Sequence, residues 1–356
     1  MDDALLTGAQ AVNPWALSSV TYDMQIRSFV PLILVLALAP RAILRPTTLA
    51  AQSGGPYAPV VLTLPSGPRT LAMGNVGIGS RDDDVLFFNP AQLAVARGTS
   101  ASGERYSATA NGGTVSAVTR LGNGGVAVGM RMVDYKTGFI GFPADRSAML
   151  VNAGLPGTSL EAMIGLAQVI KGVRIGATAK YASDDANNVE AHRAAADLGV
   201  SKDFRRYFTV GLAVQNLSRP ISFSCVDARF APGCGPPPGV IVAPSPAFPT
   251  AKAYLPLRTT AGIAGSGPVG PVDISATAAV SVLRDSFVIP AGGGEVSYSW
   301  LDGYAVAFRA GARRPIPGEG PLTGGVGFTM DRLSIDYAVE ALSGSRVGHR
   351  IGLRIR

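Results

Sequence analysis

The chain closes on two stretches, "RLSIDYAVEAL" (Arg332–Leu342) and "RVGHRIGLRIR" (Arg346–Arg356). In the first, Leu333, Ile335, Tyr337 and Val339 alternate with Ser334, Asp336, Ala338 and Glu340. In the second, Val347, His349, Ile351, Leu353 and Ile355 alternate with Arg346, Gly348, Arg350, Gly352, Arg354 and Arg356. Strict period-two alternation sets one strand face in an apolar medium and the other against polar or small groups. "VRIGATAKYAS" repeats the pattern, with Val173, Ile175, Ala177, Ala179 and Tyr181 opposite Arg174, Gly176, Thr178, Lys180 and Ala182.

Working back toward the N-terminus, about fourteen such segments follow one another, and helical periodicity is hard to find. They fall near 99–110, 113–121, 124–135, 158–170, 173–183, 191–203, 207–217, 256–265, 271–283, 292–301, 304–313, 321–330, 332–341 and 346–356. Each is close to the roughly ten residues that a tilted strand needs to cross a bilayer, and an even count suits a closed bacterial barrel. If the first strand runs outward, the even-numbered connections face the periplasm. These are the tight ones: "GNGG" (122–125), Lys171-Gly172, "DFRR" (203–206), "GSGPVG", Asp302-Gly303 and the Asp331 turn. Asp302-Gly303 is a dipeptide that a type I′ hairpin turn favours. Both long connections, 136–157 and 218–255, are odd-numbered and face outward. Short periplasmic turns and long external loops are the rule for such barrels. A soluble β-sandwich also explains alternation. It does not explain an apolar face on nearly every strand opposite Gly, Ala, Ser and Thr with scattered charges.

Composition agrees. Hydrophobic residues make up 47% of 356 and charged residues only 15%, with 44 glycines and a net charge of +7. A soluble domain carries roughly 25% charge. Residues 1–51 are expected to be a targeting segment, with Met24 the more usual start. Arg27 precedes "SFVPLILVLALAP", whose length is that of a signal core, and cleavage is expected near Ala51-Gln52. Export implies an oxidising compartment. The two cysteines, Cys225 and Cys234, share a Pro/Gly-rich loop. A small-loop disulfide and two free thiols both fit; zinc, lacking further Cys or His ligands, does not.

Residues 52–98 do not alternate. They are too long for an idle linker, and a barrel of this size has a lumen to fill. They are expected to form an N-terminal hatch, with the barrel over 99–356. The segment ends in "SRDDDVLFFNPAQLAVA" (Ser80–Ala96). Three consecutive aspartates do not converge on one ion, so no metal is expected. Asp82 and Asp83 are expected instead to pair with lumenal arginines, among them Arg69, Arg131, Arg174, Arg309 and Arg350, and to pin the hatch. Asn89-Pro90 reads as a turn, and "GNVGIG" (Gly74–Gly79) as close-packing or turn glycines. The lumen face is expected to carry Arg131, Arg174, Lys180, Arg309, Asp336, Glu340, Arg350 and Arg354.

Catalytic signatures are missing from the sequence: it has no Gly-x-Ser-x-Gly elbow, no His-Glu-x-x-His and no Walker lysine motif. Of two histidines, His349 alternates with apolar residues on a strand and reads as an interfacial girdle residue. No enzyme activity and no cofactor are expected; a membrane-embedded phospholipase would need a Ser partner for His349.

"GPRTLAMGNVGIGSRDDDVLFFNPAQLA" resembles the N-terminal signature of the PorV/PorQ family of outer-membrane proteins, itself similar to the FadL long-chain fatty-acid transporters through the Asn-Pro-Ala hatch motif. "GLAVQNLS", "YLPLRTTAGIA", "GGGEVSYSWLDGYAVAFRAGAR" and the closing strands resemble further segments of that family. Gln92 stands where Gly is usual, the chain ends in Arg356 rather than an aromatic residue, and the cysteine loop has no counterpart. The resemblance implies a fourteen-stranded outer-membrane barrel with a hatch motif at Asp82, Asp83, Asn89, Pro90 and Ala91. It implies either a secretion accessory that meets secretion proteins or cargo domains, or a FadL-like conduit for hydrophobic small molecules such as fatty acids. The partners implied are outer-membrane lipid and one of these two, not nucleic acid.

Overall fold

Alternation becomes pairing in the computed structural model, which describes residues 59–107, 110–135, 157–186, 189–204, 207–219, 221–224, 250–253, 255–284, 287–315, 319–342 and 346–356. The strands are β1 (Gly98–Ser107), β2 (Ala110–Leu121), β3 (Gly124–Tyr135), β4 (Gly157–Ile170), β5 (Val173–Ala186), β6 (Val189–Phe204) and β7 (Phe208–Leu217). After a short pair, β8 (Ile221–Ser224) and β9 (Thr250–Ala253), come β10 (Arg258–Val269), β11 (Val272–Leu283), β12 (Val288–Leu301) and β13 (Tyr304–Arg313). β14 (Glu319–Met330), β15 (Leu333–Leu342) and β16 (Arg346–Ile355) complete the set. Fourteen of them form one closed antiparallel barrel; β10 pairs with β7, β8 and β9 form a separate two-stranded sheet, and β1 pairs with β16 from Thr99–Ile355 to Arg105–His349. Closure leaves no sheet edge unpaired, which the hydrocarbon core of a bilayer requires.

The two faces separate as the alternation demands. On β16 every residue from Val347 to Ile355 switches between exposed and buried in turn. The outward set over the whole wall includes Val128, Met130, Ile164, Leu166, Leu212, Phe308, Val326, Ile351 and Leu353. In water this would be a large contiguous apolar patch; in a bilayer it is the lipid-facing belt of a transmembrane barrel. His349 lies on that outer face, stacked on Tyr337, whose hydroxyl is 2.7 Å from its Nδ1. Trp300, Tyr304 and Phe328 gather outside near the β12–β13 turn. Both clusters sit where aromatic girdles sit.

Turn details depart from expectation. Asp302-Gly303 is not type I′, because only Gly303 has positive φ (81°), and an irregularity between Ser299 and Leu301 shifts the register. Lys171 and Gly172 are both positive, at 50° and 77°, so that pair is the I′ turn. "GSGPVG" is not a loop: β10 continues to Val269, which pairs with Val272 around Gly270, φ 62°. The second long connection also contains the β8–β9 pair. Cys225, Cys234 and residues 1–58 lie outside the described residues.

Inside the wall, residues 59–97 fill the lumen as short helical pieces: η1 (Val60–Thr63), α1 (Pro68–Ala72), η2 (Asp83–Phe87) and η3 (Pro90–Ala94). The core of the molecule therefore lies between hatch and wall. Val85, Leu86, Phe87, Leu93 and Ala94 pack on Val118, Ala127, Met163 and Ala167, while Leu71 and Ala72 pack on Ala338.

Candidate functional site: the hatch and its anchors

Glycines on the wall let the hatch backbone come close. A Cβ on Gly176 would lie 2.3 Å from the Pro90 carbonyl oxygen, and one on Gly125 would lie 2.0 Å from that of Leu93. At Gly199 the obstacle would be Asn89 Oδ1, at 2.1 Å. The Asn-Pro-Ala turn therefore seats directly on backbone of β5 and β6, and Leu93 beyond it on β3. Asn89 caps η3, its Oδ1 accepting from the Ala91 amide at 3.1 Å, and its Nδ2 donates to the Ile78 carbonyl at 3.0 Å. Gln92, the departure from the usual glycine, is fully buried and donates to the same Ile78 carbonyl at 3.3 Å. It adds a tie between η3 and the preceding stretch of hatch.

The three aspartates diverge. Among the described residues no group of His, Cys, Asp and Glu is arranged to hold a metal ion. Asp82, 3% exposed, takes Arg354 at 2.8 Å and also Arg69 and Arg356. Asp83 accepts from Ser116 Oγ at 2.7 Å. Asp84 accepts from Thr70 Oγ1 at 2.5 Å. Burial alone would push the Asp82 carboxyl up, but Arg69, then Arg354 and Arg356, hold it far below the usual range. Asp84 is pushed up to about 7, first by burial and then by its neighbours Asp82 and Asp83, against the pull of Thr70 and Arg354. The two carboxylates are thus shifted in opposite directions: three guanidinium groups lie against Asp82, whereas on Asp84 burial and its acidic neighbours outweigh the pull of Arg354.

The expected arginine partners need correction. Arg131, Arg174, Arg309 and Arg350 do not reach the aspartates, because cross-strand wall carboxylates already occupy them. Arg131 pairs with Glu161 at 2.5 Å and Arg174 with Asp203 at 2.7 Å. Arg309 pairs with Glu295 and, at 2.6 Å, with Asp336. Arg350 pairs with Glu340 at 3.1 Å. They still hold the hatch, by other routes. Arg131 donates to the Leu64 carbonyl at 2.9 Å and Arg350 to that of Pro65 at 2.8 Å. Glu295 bridges Arg309 to Arg69 of α1, with both Arg69 contacts at 2.7 and 3.0 Å. Arg174 shares Asp203 with Arg81 of the hatch, 3.2 Å away. Lys180 stays within the wall, 3.1 Å from Glu161 and 2.8 Å from Asp197.

Glu161, Asp197, Glu295, Arg313, Gln215 and Arg356 escaped the sequence reading. Glu295 had a signal: it faces Arg309 across the β12–β13 hairpin, so counting outward from Asp302-Gly303 brings the two together within one residue. Glu161 had none, since its pairing with Arg131 spans the connection between β3 and β4.

The hatch leaves small spaces against the wall of β7, β10, β11 and β12. One cavity of about 40 Å³ lies beside Arg258, Thr260, Gln215, Ala279, Ser281 and Phe88. A second of about 330 Å³ lies beside Arg69, Met73, Asp82, Thr209, Ala264 and Thr277, at the end of the barrel where β1 begins and β16 ends. Arg258 also borders a polar pocket of about 20 Å³ and makes no ion pair among the described residues.

These features define a class: a transmembrane fourteen-stranded barrel whose lumen is filled by an N-terminal hatch. The sequence matches no family model and no curated protein. Among solved structures the fold is that of the CymD monoaromatic hydrocarbon channel, with a TM-score of 0.52 and 12% identity over 84% of this chain and 98% of that chain. The toluene transporter TodX of Pseudomonas putida aligns with a TM-score of 0.49 and 12% identity over 80% of this chain and 96% of that one.

Proposed function

We propose that the protein is a FadL-like outer-membrane channel that passes small apolar molecules. The observation that carries this reading is the lumen itself. It is occupied by a hatch, yet it keeps separate cavities on both sides of that hatch along one wall. A permanently open porin would have a continuous aqueous lumen. Apolar groups from Val76, Ile78, Ala279 and Ile289 in the first cavity, and from Met73, Val76, Ala264 and Ala276 in the second, share the linings with charged side chains. Arg258 makes no ion pair among the described residues and borders the first cavity together with Arg313 and Glu319, so a polar end of the solute would meet both signs of charge there. CymD, whose fold this chain shares, is a monoaromatic hydrocarbon channel, which agrees with this reading.

The other expectation, a role beside secretion proteins, draws less support. The larger space, about 330 Å³, suits a small molecule and not a cargo domain. The outer membrane as location rests on the closed even-stranded barrel and its lipid-facing belt, with residues 1–51 proposed as the export signal. The test is a deletion strain measured for uptake of an apolar probe and for surface display of secreted proteins. Loss of uptake with normal display is expected; loss of display alone would sink the channel reading.

A further inference from the structure

On its lipid-facing side β1 differs from the strands beside it. Its outward residues are Thr99, Ala101, Gly103 and Arg105, with nothing larger than threonine before the arginine. Gly103 looks onto open space, since an added Cβ there would meet nothing within 4 Å. The flanking strands are bulky at the same levels. On β16, Ile355, Leu353 and Ile351 stand opposite Thr99, Ala101 and Gly103, all exposed. Gly113 of β2 faces Gly103 and extends the low floor, and the exposed Met130 and Met132 of β3 rise beyond it. A furrow results, running along the outer wall for about 13 Å from Thr99 to Gly103 at roughly 3.3 Å per residue. It lies in the belt that lipid chains cover.

The furrow ends in a charge, at the end of β1 away from the tight turns. Arg105 is exposed on the same face and, among the described residues, makes no hydrogen bond or ion pair. An arginine left unpaired against hydrocarbon is unfavourable, and an anion is what relieves it. Its ladder neighbours are polar as well. His349 of β16 stands directly opposite on one side and Asn111 of β2 on the other. Residues directly opposite in an antiparallel pair have Cβ atoms about 4.5–5.5 Å apart, so the three side chains can reach one shared spot. Asn111, exposed, also has no side-chain partner among the described residues. His349 is held by Tyr337, whose hydroxyl lies 2.7 Å from Nδ1 and whose ring stacks on the imidazole. With Tyr337 as the donor, His349 carries its proton on Nε2 and offers it to the outside. Along this row the first carboxylate is Asp134 of β3, opposite Asn111 and two strands from Arg105.

We propose that Arg105, His349 and Asn111 bind the phosphate of a membrane lipid in the outward leaflet, and that an acyl chain of that lipid lies in the furrow over Gly103 and Ala101. Arg105 supplies the charge, and His349 and Asn111 supply one N–H donor each. Donors from three strands suit the several oxygens of a phosphate. Tyr337 is a positioning residue that fixes the imidazole. The two parts select an anionic lipid together. A free phosphate would leave the furrow unused, and a neutral lipid would leave Arg105 without an anion. The site rests on reading the barrel as membrane-spanning with its long connections outward, and not on what passes through the lumen.

Native mass spectrometry of the detergent-solubilised protein tests headgroup and furrow separately. Offered phosphatidic acid and phosphatidylcholine with the same chains in equal amounts, the wild type should retain phosphatidic acid ~10-fold more, as a hydrogen-bonded charge contact provides. Arg105→Gln should remove that preference. Ala101→Trp, which fills the furrow away from the headgroup, should lower retention of long-chain phosphatidic acid ~10-fold and leave the dihexanoyl form as in wild type. Heat-modifiable gel migration reports that each barrel is folded. Equal retention of the two lipids by the wild type would overturn the site, and so would a preference that survives Arg105→Gln. Displacement of the lipid by equimolar inorganic phosphate would overturn the lipid as occupant, and an Ala101→Trp variant that behaves as wild type would overturn the furrow. Passage of an apolar probe through the wild-type barrel is measured apart: its failure would refute the channel reading and leave the lipid result standing.

Discussion

Asp82→Asn isolates the latch between the hatch and the last strand. The side chain keeps its shape and loses its charge, in front of three guanidinium groups. Arg69 retains Glu295 at 2.7 Å. Arg356, with 52% of its side chain exposed, can rehydrate. Arg354 cannot: it is 9% exposed, and its next carboxylate is Asp336 at 3.6 Å, which Arg309 already holds at 2.6 Å. The substitution therefore strands about one buried charge. Breaking a buried pair costs roughly 3–5 kcal/mol, and the shared Asp336 places this case near 3. Unseating the hatch lets water reach Arg354, so the cost appears as a shift toward the unseated hatch. At about 1.4 kcal/mol per decade, its population rises by on the order of 100-fold. Asp83→Asn is the control. Ser116 donates to Asp83, and an amide oxygen still accepts, so the change should stay within about 1 kcal/mol. Leak of a small polar solute from proteoliposomes reads the population, with gel migration confirming an intact barrel. Folded Asp82→Asn that leaks no more than wild type would refute the latch, and so would equal leak from Asp83→Asn.

Asp84 predicts a pH dependence. Its folded pKa, about 7, lies above the ordinary value, so its contribution to hatch seating is complete below about pH 4 and is lost as pH rises through 7. Asp82 runs the other way, stabilising above about pH 4 and losing its contribution only as pH falls toward its depressed value. Protease cleavage within the hatch should therefore increase from pH 5 to 8, and Asp84→Asn should flatten that rise. Lys180→Met leaves Glu161 and Asp197 facing each other with half their neutralisation; a loss of roughly 3–5 kcal/mol is expected in urea unfolding of the barrel. Gly176→Ala forces a Cβ against the Pro90 carbonyl, and overpacking of this kind costs about 1–3 kcal/mol, read as faster hatch proteolysis with wall strands intact by circular dichroism.

Legibility followed range along the chain. The fourteen wall strands were readable because alternation is local and each strand carries its own apolar face. Strand ends slipped where a turn was judged from residue type alone. Gly-Pro in "GSGPVG" looked like a loop, yet Gly270 makes the turn and Pro268 sits within the ladder, paired with Asp273. At Asp302-Gly303 the dipeptide was right and the turn type wrong, because the register shift beside it supplies the twist. The hatch motif was visible as a break in periodicity. Its partners were not, since Asp82 meets Arg354 and Arg356 from the far end of the chain. Arg356, legible as the last polar position of the alternation, belongs to the latch through Asp82.

By itself the sequence determined which faces meet lipid, how many strands cross the bilayer, and that a segment before the first strand has to lie elsewhere. These follow from nearest-neighbour patterning and from the requirement that no backbone group go unpaired in hydrocarbon. Only the tertiary structure decided which carboxylate meets which guanidinium, that the glycines of the inner face are seats for hatch backbone, and that Val76 stands between two cavities. Those depend on barrel closure, which sets β16 beside β1 and brings residues more than two hundred positions apart into contact, as between Arg69 and Glu295.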